Sequence, residues 1–177
     1  MQHCKHLLMR FKLDDTQIGK CFRFAIEVTK KTKHYYQKRN QYARTEKLIF
    51  DMFIGKLAEV AVWSMMIDED KECTSPSFKI TDYGDSGDLK IIKENEIITL
   101  HIKCVRHDSP VKDSWLIETK ELEHLGENDY FALCKYYEPD EIEIMKVISS
   151  AKINWQKPRN ASLSSKSACY LDNLTLN

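Results

Sequence analysis

The spacing of apolar residues predicts two long helices followed by a half that is built mainly of strands. Over residues 14–37 the apolar side chains return every three or four positions, which is typical of a helix with one buried face. A second, more apolar helix is predicted over residues 45–67, with Thr45 as its N-cap, and the polar run Asp14–Thr16 offers N-cap candidates for the first. We therefore expect a helical pair ahead of the strands.

Beyond residue 77 the pattern changes to alternation with a period of two, which indicates strands. Residues 116–119 fit either a further strand or the start of a helix, and residues 121–126 fit a helical turn that ends at a glycine. The other predicted strands cover residues 77–83, the two arms of a hairpin over 87–106, 130–136 and 141–148. This order of helices and strands predicts an α/β fold.

The hairpin carries the most informative polar residues of the chain. Alternate residues of 98–104 form an apolar row, while His101 and Lys103 point to the opposite face. A symmetric turn over residues 93–96 places Asp88 directly opposite His101, and opposed residues share a face. The sequence thus predicts an aspartate, a histidine and a lysine together on one face of a sheet.

This hairpin resembles the signature of the PD-(D/E)XK nuclease superfamily, which includes most type II restriction endonucleases. The signature is an acid that starts one strand, followed by an acid-x-Lys triplet on the next; Asp88 matches the first acid and Lys103 the lysine. His101 stands where the family usually has Asp or Glu. Glu59 matches the acid of the family's upstream helix, and the resemblance covers roughly residues 44–137.

The resemblance implies a restriction-endonuclease-like fold with a central mixed β-sheet flanked by helices, and a metal-dependent DNA endonuclease. Asp88 and Glu59 would hold Mg²⁺ or Mn²⁺, the backbone carbonyl of Ile102 would reach the same ion, and Lys103 would be catalytic. His101 would be a ligand for a softer ion or a general base. A site weakened or inactivated by this histidine is an equally consistent outcome.

Several alternatives to these assignments stay open at the level of sequence. Glu59 would also be satisfied by a simple pair with a lysine, because a lone buried carboxylate is costly. His101 would also serve as an ordinary hydrogen-bonded group that pairs with Asp88 across the strands. The triplet Glu118-Thr119-Lys120 is a second place for the signature, about thirty residues after Asp88 and in a segment with weaker alternation.

A basic and aromatic run follows the first predicted helix and extends to the start of the second. Such side chains neutralise phosphates and stack on bases, so the run is a candidate DNA contact. A solvated helix end is the alternative, since lysines near a helix C-terminus complement its dipole. The candidate DNA-binding residues are Lys30, Lys31, Lys33, Tyr35, Tyr36, Lys38, Arg39 and Arg44.

Composition limits the class of protein without selecting a function. The 177 residues carry 27 basic and 27 acidic side chains, so the formal net charge is zero, which argues against a protein that coats DNA nonspecifically. The six cysteines are scattered with no C-x-x-C pair, which indicates reduced thiols and a cytoplasmic setting. No run approaches ~18 consecutive apolar residues, and the N-terminus does not fit a secretory signal, so we expect no membrane association.

These observations predict a single nuclease-like domain over residues 1–177, with helices over about 14–67, a catalytic sheet over about 77–148 and a polar tail over about 154–177. The tail fits either a loop that folds onto DNA or plain surface. The expected partners are double-stranded DNA and a second copy of the chain, since a twofold dimer matches a palindromic site. A nuclease fold that binds DNA without cutting it, and an interaction protein with no role on nucleic acid, are the alternatives.

Overall fold

A computed structural model describes residues 9–38, 45–81, 84–85, 88–93, 96–109, 114–126 and 128–170 of the chain. Its two long helices are α1 (Asp15–Lys38) and α2 (Thr45–Asp68), which confirms the predicted pair almost to the residue. Asp14 caps α1: its Oδ1 accepts a hydrogen bond from the Gln17 backbone N–H at 2.8 Å, and the Asp14 backbone N–H donates to Gln17 Oε1 at 3.1 Å. This reciprocal capping box fixes the start of the helix.

The main sheet is mixed and contains five strands: β1 (Met9–Lys12), β4 (Leu89–Lys93), β5 (Glu96–Arg106), β7 (Tyr130–Tyr137) and β8 (Glu141–Ser149). Their order across the sheet is β1-β8-β7-β5-β4. The pair of β5 with β7 is parallel, and every other pair in this sheet is antiparallel. Mixed α/β architecture is therefore confirmed, although the sheet also includes a strand that precedes the helices.

Two small ribbons complete the strands of the described residues. One pairs β2 (Ile80–Thr81) with β3 (Gly84–Asp85). The strand predicted over residues 77–83 therefore begins three residues later than expected, and residues 82–83 lie outside the described part of the chain. The other pairs β6 (Ser114–Glu118) with β9 (Lys166–Tyr170). A 3₁₀ turn over Thr119–His124 follows β6, where a helical turn was predicted over residues 121–126.

The first face of the main sheet packs against α2 and forms the larger core. Leu100 of β5, Ala132 and Cys134 of β7 and Ile142 of β8 are fully buried in this core together with Leu57 of α2. Because residues alternate along a strand, the neighbours of these core residues point to the other face of the sheet.

Among the described residues, the second face of the sheet is covered by the β6–β9 ribbon and not by a helix. Trp115 of β6 and Cys169 of β9 pack against Phe131 and Leu133 of β7 in a second apolar cluster. The prediction of a polar tail over about 154–177 is therefore wrong for residues 166–170, which form a largely buried strand. The error has a physical cause: Ala168, Cys169 and Tyr170 form a short apolar run inside a polar segment, and pairing with β6 buries it.

The free edge of β4 is covered by the segment before it. The Thr74 backbone N–H donates to Lys90 O at 2.8 Å, and the Ile92 backbone N–H donates to Glu72 O at 2.9 Å. An uncovered edge strand invites pairing with another chain, and these bonds occupy part of that edge. Among the described residues, neither helix is both long and apolar enough to cross a bilayer.

Candidate functional site

The hairpin of β4 and β5 has the register that the sequence predicts. Lys90 lies opposite Thr99, and Ile92 lies opposite Ile97. Asp88 is the residue just before β4, and its Oδ2 lies 2.9 Å from His101 Nδ1. The predicted meeting of Asp88 with His101 is therefore confirmed.

A second carboxylate reaches the opposite side of the same imidazole. Asp129 Oδ2 lies 3.2 Å from His101 Nε2, so each ring nitrogen faces one carboxylate. An ionised carboxylate only accepts hydrogen bonds, and a histidine donates from both nitrogens only when both carry a proton. The contacts therefore fit a positively charged ring held between two negative groups.

Asp129 is held in place by its own loop. Its Oδ2 also accepts a hydrogen bond from the Gly126 backbone N–H at 2.8 Å, and its carbonyl oxygen accepts one from the Ser150 N–H at 2.8 Å. The sequence pattern did not single out Asp129, because this residue stands outside every predicted strand. One signal was available: Asp129 lies just before β7, and a parallel pairing of β7 with β5 brings the residues before Phe131 next to His101.

Aromatic rings form the floor beneath His101. The imidazole stacks on Phe131, with ring centroids 5.0 Å apart, and Phe131 in turn packs edge-on against Trp155 at 5.3 Å. The side chain of His101 is 18% exposed, that of Asp129 is 16% exposed and that of Asp88 is 39% exposed. Solvent therefore reaches the site mainly from the side of Asp88.

The surroundings of His101 pull its pKa in opposite directions. Burial lowers the pKa, while the hydrogen bonds and negative charges of Asp88 and Asp129 raise it. The carboxylates prevail, so the pKa of His101 is raised above its ordinary value of 6.5. This direction agrees with the geometry, in which the protonated ring can satisfy both carboxylates.

Lys103 lies two residues along β5 from His101 and therefore on the same face of the sheet. It is half-buried, lies opposite Leu133 of β7 and forms no ion pair with another described residue. Ile102, between the two, packs against the core on the α2 side. The structure thus brings Asp88, His101 and Lys103 to one face, as predicted, and adds Asp129.

Glu59 is not part of this group. It is buried on α2, the helix that covers the opposite face of the sheet, and its Oε2 lies 2.6 Å from Lys56 Nζ. The Lys56 ammonium also donates to Ser77 O at 2.9 Å and lies 4.5 Å from the ring centroid of Phe24. The structure therefore contains the pairing of Glu59 with a lysine that the sequence left open.

The other candidate triplet is also satisfied internally. Glu118 ends β6 and pairs with Lys166 of the neighbouring β9 strand. Lys120 is exposed in the 3₁₀ turn. Within the described part of the chain, no group like the one around His101 surrounds this triplet.

The structure describes the side chains of only some of the predicted DNA-binding residues. Lys30 and Lys31 are exposed on α1. Lys33, Tyr35, Tyr36 and Lys38 belong to the last turns of α1, where only the backbone is described. Arg39 and Arg44 lie outside the described residues.

The donors near the hairpin do not fit a divalent metal ion in this arrangement. Within the described ranges, no group of three or more His, Cys, Asp or Glu side chains is arranged to hold a metal. Both nitrogens of His101 face carboxylates, and Glu59 is paired with Lys56. The described cysteines are free, and burial raises the pKa of Cys104 and Cys134, which makes them poor thiolate ligands.

Comparisons with family models, with curated proteins and with solved structures found no match to this chain. The resemblance to the PD-(D/E)XK nucleases therefore rests on the hairpin residues and their geometry.

Proposed function

We propose that this protein is a nuclease-like hydrolase that cuts the phosphodiester bonds of DNA at the face formed by β4 and β5. One observation carries the proposal: the hairpin has the register that the nuclease signature requires, with Asp88 against His101 and Lys103 on the same face. A type II restriction endonuclease that cuts a specific duplex site as a homodimer is the most specific form of this proposal. That form rests on the resemblance, whereas the reducing, cytoplasmic setting that we also propose rests on the scattered cysteines.

The residues of this face suit parts of phosphodiester hydrolysis. The reaction adds water to phosphorus and releases an oxygen that must gain a proton, while negative charge grows on the phosphate. Lys103, which has no described acidic partner, can bind the phosphate and offset that charge. His101 can give its proton to the leaving oxygen, and the carboxylate of Asp88, once displaced from the ring, can accept the proton that the attacking water loses. Asp129 fixes the orientation of the ring.

Access favours proton transfer on the side of Asp88. That carboxylate is 39% exposed, against 16% for Asp129, so a substrate group can displace it more easily from the imidazole. Asp129 would then keep His101 in position through Nε2 while Nδ1 faces the substrate. In the PD-(D/E)XK nucleases that the hairpin resembles, a divalent ion usually activates the attacking water. The described side chains of this face do not fit such an ion, so the proposed reaction does not depend on one.

A cleavage assay with variants tests the proposal. Purified protein is incubated with supercoiled plasmid and with mixed-sequence genomic DNA, in Mg²⁺, in Mn²⁺ and in a chelator. We expect nicking or cutting by the wild type and its loss in Lys103→Ala. Lys12→Ala is the matched control, because Lys12 is an exposed lysine on β1, at the opposite edge of the sheet.

Failure to cut any of these substrates under every condition would refute the hydrolase. It would leave the second candidate, a nuclease-like module that binds DNA without cutting it. The pairing of His101 with two carboxylates and of Glu59 with Lys56 favours this candidate, because it leaves few free catalytic groups. Such a module would bind DNA with an affinity that falls steeply with salt. No DNA affinity even at low salt would refute both.

A further inference from the structure

We infer that the imidazolium of His101 is the resident cation between Asp88 and Asp129, in the place where a carboxylate metal site would hold a divalent ion. The two contacts, at 2.9 Å and 3.2 Å, use both ring nitrogens. This face of the sheet then binds no divalent metal, although the resemblance to metal-dependent nucleases implies one. The inference rests on these contacts, so it stands or fails separately from the proposed hydrolase.

Both nitrogens of the His101 ring are already occupied by carboxylates. A histidine binds a metal through a nitrogen that has lost its proton. Here both nitrogens are directed at groups that only accept hydrogen bonds, so both must carry protons to satisfy their partners. A metal could bind His101 only after one carboxylate contact had broken.

Asp129 is anchored by its own loop as well as by the ring. Its Oδ2 is shared between His101 Nε2 and the Gly126 N–H, at 3.2 Å and 2.8 Å. Moving this oxygen onto an ion would leave the Gly126 N–H without that acceptor. The loop is thus built around the carboxylate–imidazole contact.

The acids that the resemblance implies as ligands already have cations beside them. The ammonium of Lys56 lies 2.6 Å from Glu59, and Lys56 is 1% exposed. At the hairpin the imidazolium of His101 lies between the two described carboxylates, Asp88 and Asp129. A divalent ion added there would face an adjacent positive ring and would be repelled by it.

Mn²⁺ binding tests the inference without any need for activity. Free Mn²⁺ is measured by electron paramagnetic resonance in chelator-free buffer, with wild type, His101→Asp and His101→Asn. The first substitution restores the acid that the signature expects, and the second removes the ring without adding charge. We expect the wild type to leave Mn²⁺ free, and His101→Asp to bind one ion at least about tenfold more tightly, because two units of negative charge are gained. His101→Asn should fall between them.

Three results would overturn the inference. The first is one tightly bound Mn²⁺ per wild-type chain that is lost in Asp88→Asn. The second is a folded His101→Asp that binds no more Mn²⁺ than the wild type. If His101→Asp does not fold, nuclear magnetic resonance spectra of the wild type decide the question. Mn²⁺ should then leave the ring proton signals of His101 sharp. Selective broadening of these signals by Mn²⁺ is the third contrary result. Plasmid cleavage that persists in a chelator would agree with both proposals, and absence of cleavage would leave this inference intact.

Discussion

The two carboxylate sites on opposite faces of the sheet solve the same problem in different ways. On α2, Glu59 is buried and receives its cation from Lys56, three residues earlier on the same helix. At the hairpin, Asp88 and Asp129 receive theirs from His101, which lies far from Asp129 in sequence. The first site is closed and the second is open on one side. The two sites show that a carboxylate at a signature position can be assigned a role only after its nearest cation has been identified.

The largest effect is expected from breaking the closed site. Lys56→Met leaves Glu59 buried without its cation, which should lower the free energy of unfolding by about 3–5 kcal/mol. Chemical denaturation followed by circular dichroism measures the change. Lys47→Met is the matched control on the same helix, because Lys47 and Asp51 form an exposed pair whose loss should cost less than about 1 kcal/mol.

The double variant Lys56→Met/Glu59→Leu sharpens this result. Replacing a buried ion pair by apolar groups is often neutral or stabilising, so most of the lost stability should return. Equal losses in Lys56→Met and Lys47→Met would contradict the assignment of Glu59 to a closed structural site.

A smaller effect is expected from the open site, and it should differ between its two carboxylates. Asp129→Ala removes a partner of His101 and of the Gly126 N–H, and should cost about 1.5–3 kcal/mol. Asp88→Ala should cost about 1 kcal/mol or less, because water reaches the place of this more exposed group. The same denaturation experiment compares them. A larger loss for Asp88→Ala would mean that Asp129 does not anchor the ring.

The smallest effect is a dependence of stability on pH that only the open site should show. The pKa of His101 is raised in the folded protein by Asp88 and Asp129 against the effect of burial, so its contribution is complete below the ordinary value of 6.5. It declines as the pH rises through the raised pKa, because folding must then take up a proton. The stability difference between wild type and His101→Asn should therefore be largest below the ordinary pKa of 6.5 and shrink as the pH rises above it. A difference that grows over this range would mean that the neutral ring is the favoured form.

The sequence predicted the parts of the fold that local patterns determine. Helix periodicity placed α1 and α2, and strand alternation with a symmetric turn placed Asp88 beside His101. The β6–β9 ribbon escaped prediction because it joins segments that are far apart in the chain, and the apolar run of β9 is short. Asp129 escaped for the same reason, since only the parallel pairing of β5 with β7 brings it to the imidazole.

The role of Glu59 shows a different limit. Lys56 was visible three residues before it, at helical spacing that allows a pair. The sequence does not say whether that lysine turns to the carboxylate or to solvent, because the choice depends on the burial that Phe24 and Ser77 create around the ammonium. Tertiary packing, rather than spacing, decides between an ion pair and a metal ligand.

The ¹⁵N chemical shifts of the His101 ring in ¹⁵N-labelled protein, recorded with and without Mg²⁺, reveal whether a protonated histidine is the cation of the hairpin site. We expect that near neutral pH both nitrogens carry protons, that each proton is hydrogen-bonded, and that Mg²⁺ changes neither shift. A neutral ring with one bare nitrogen, or a shift of either nitrogen that saturates with one Mg²⁺ per chain, would show that the imidazolium is not that cation.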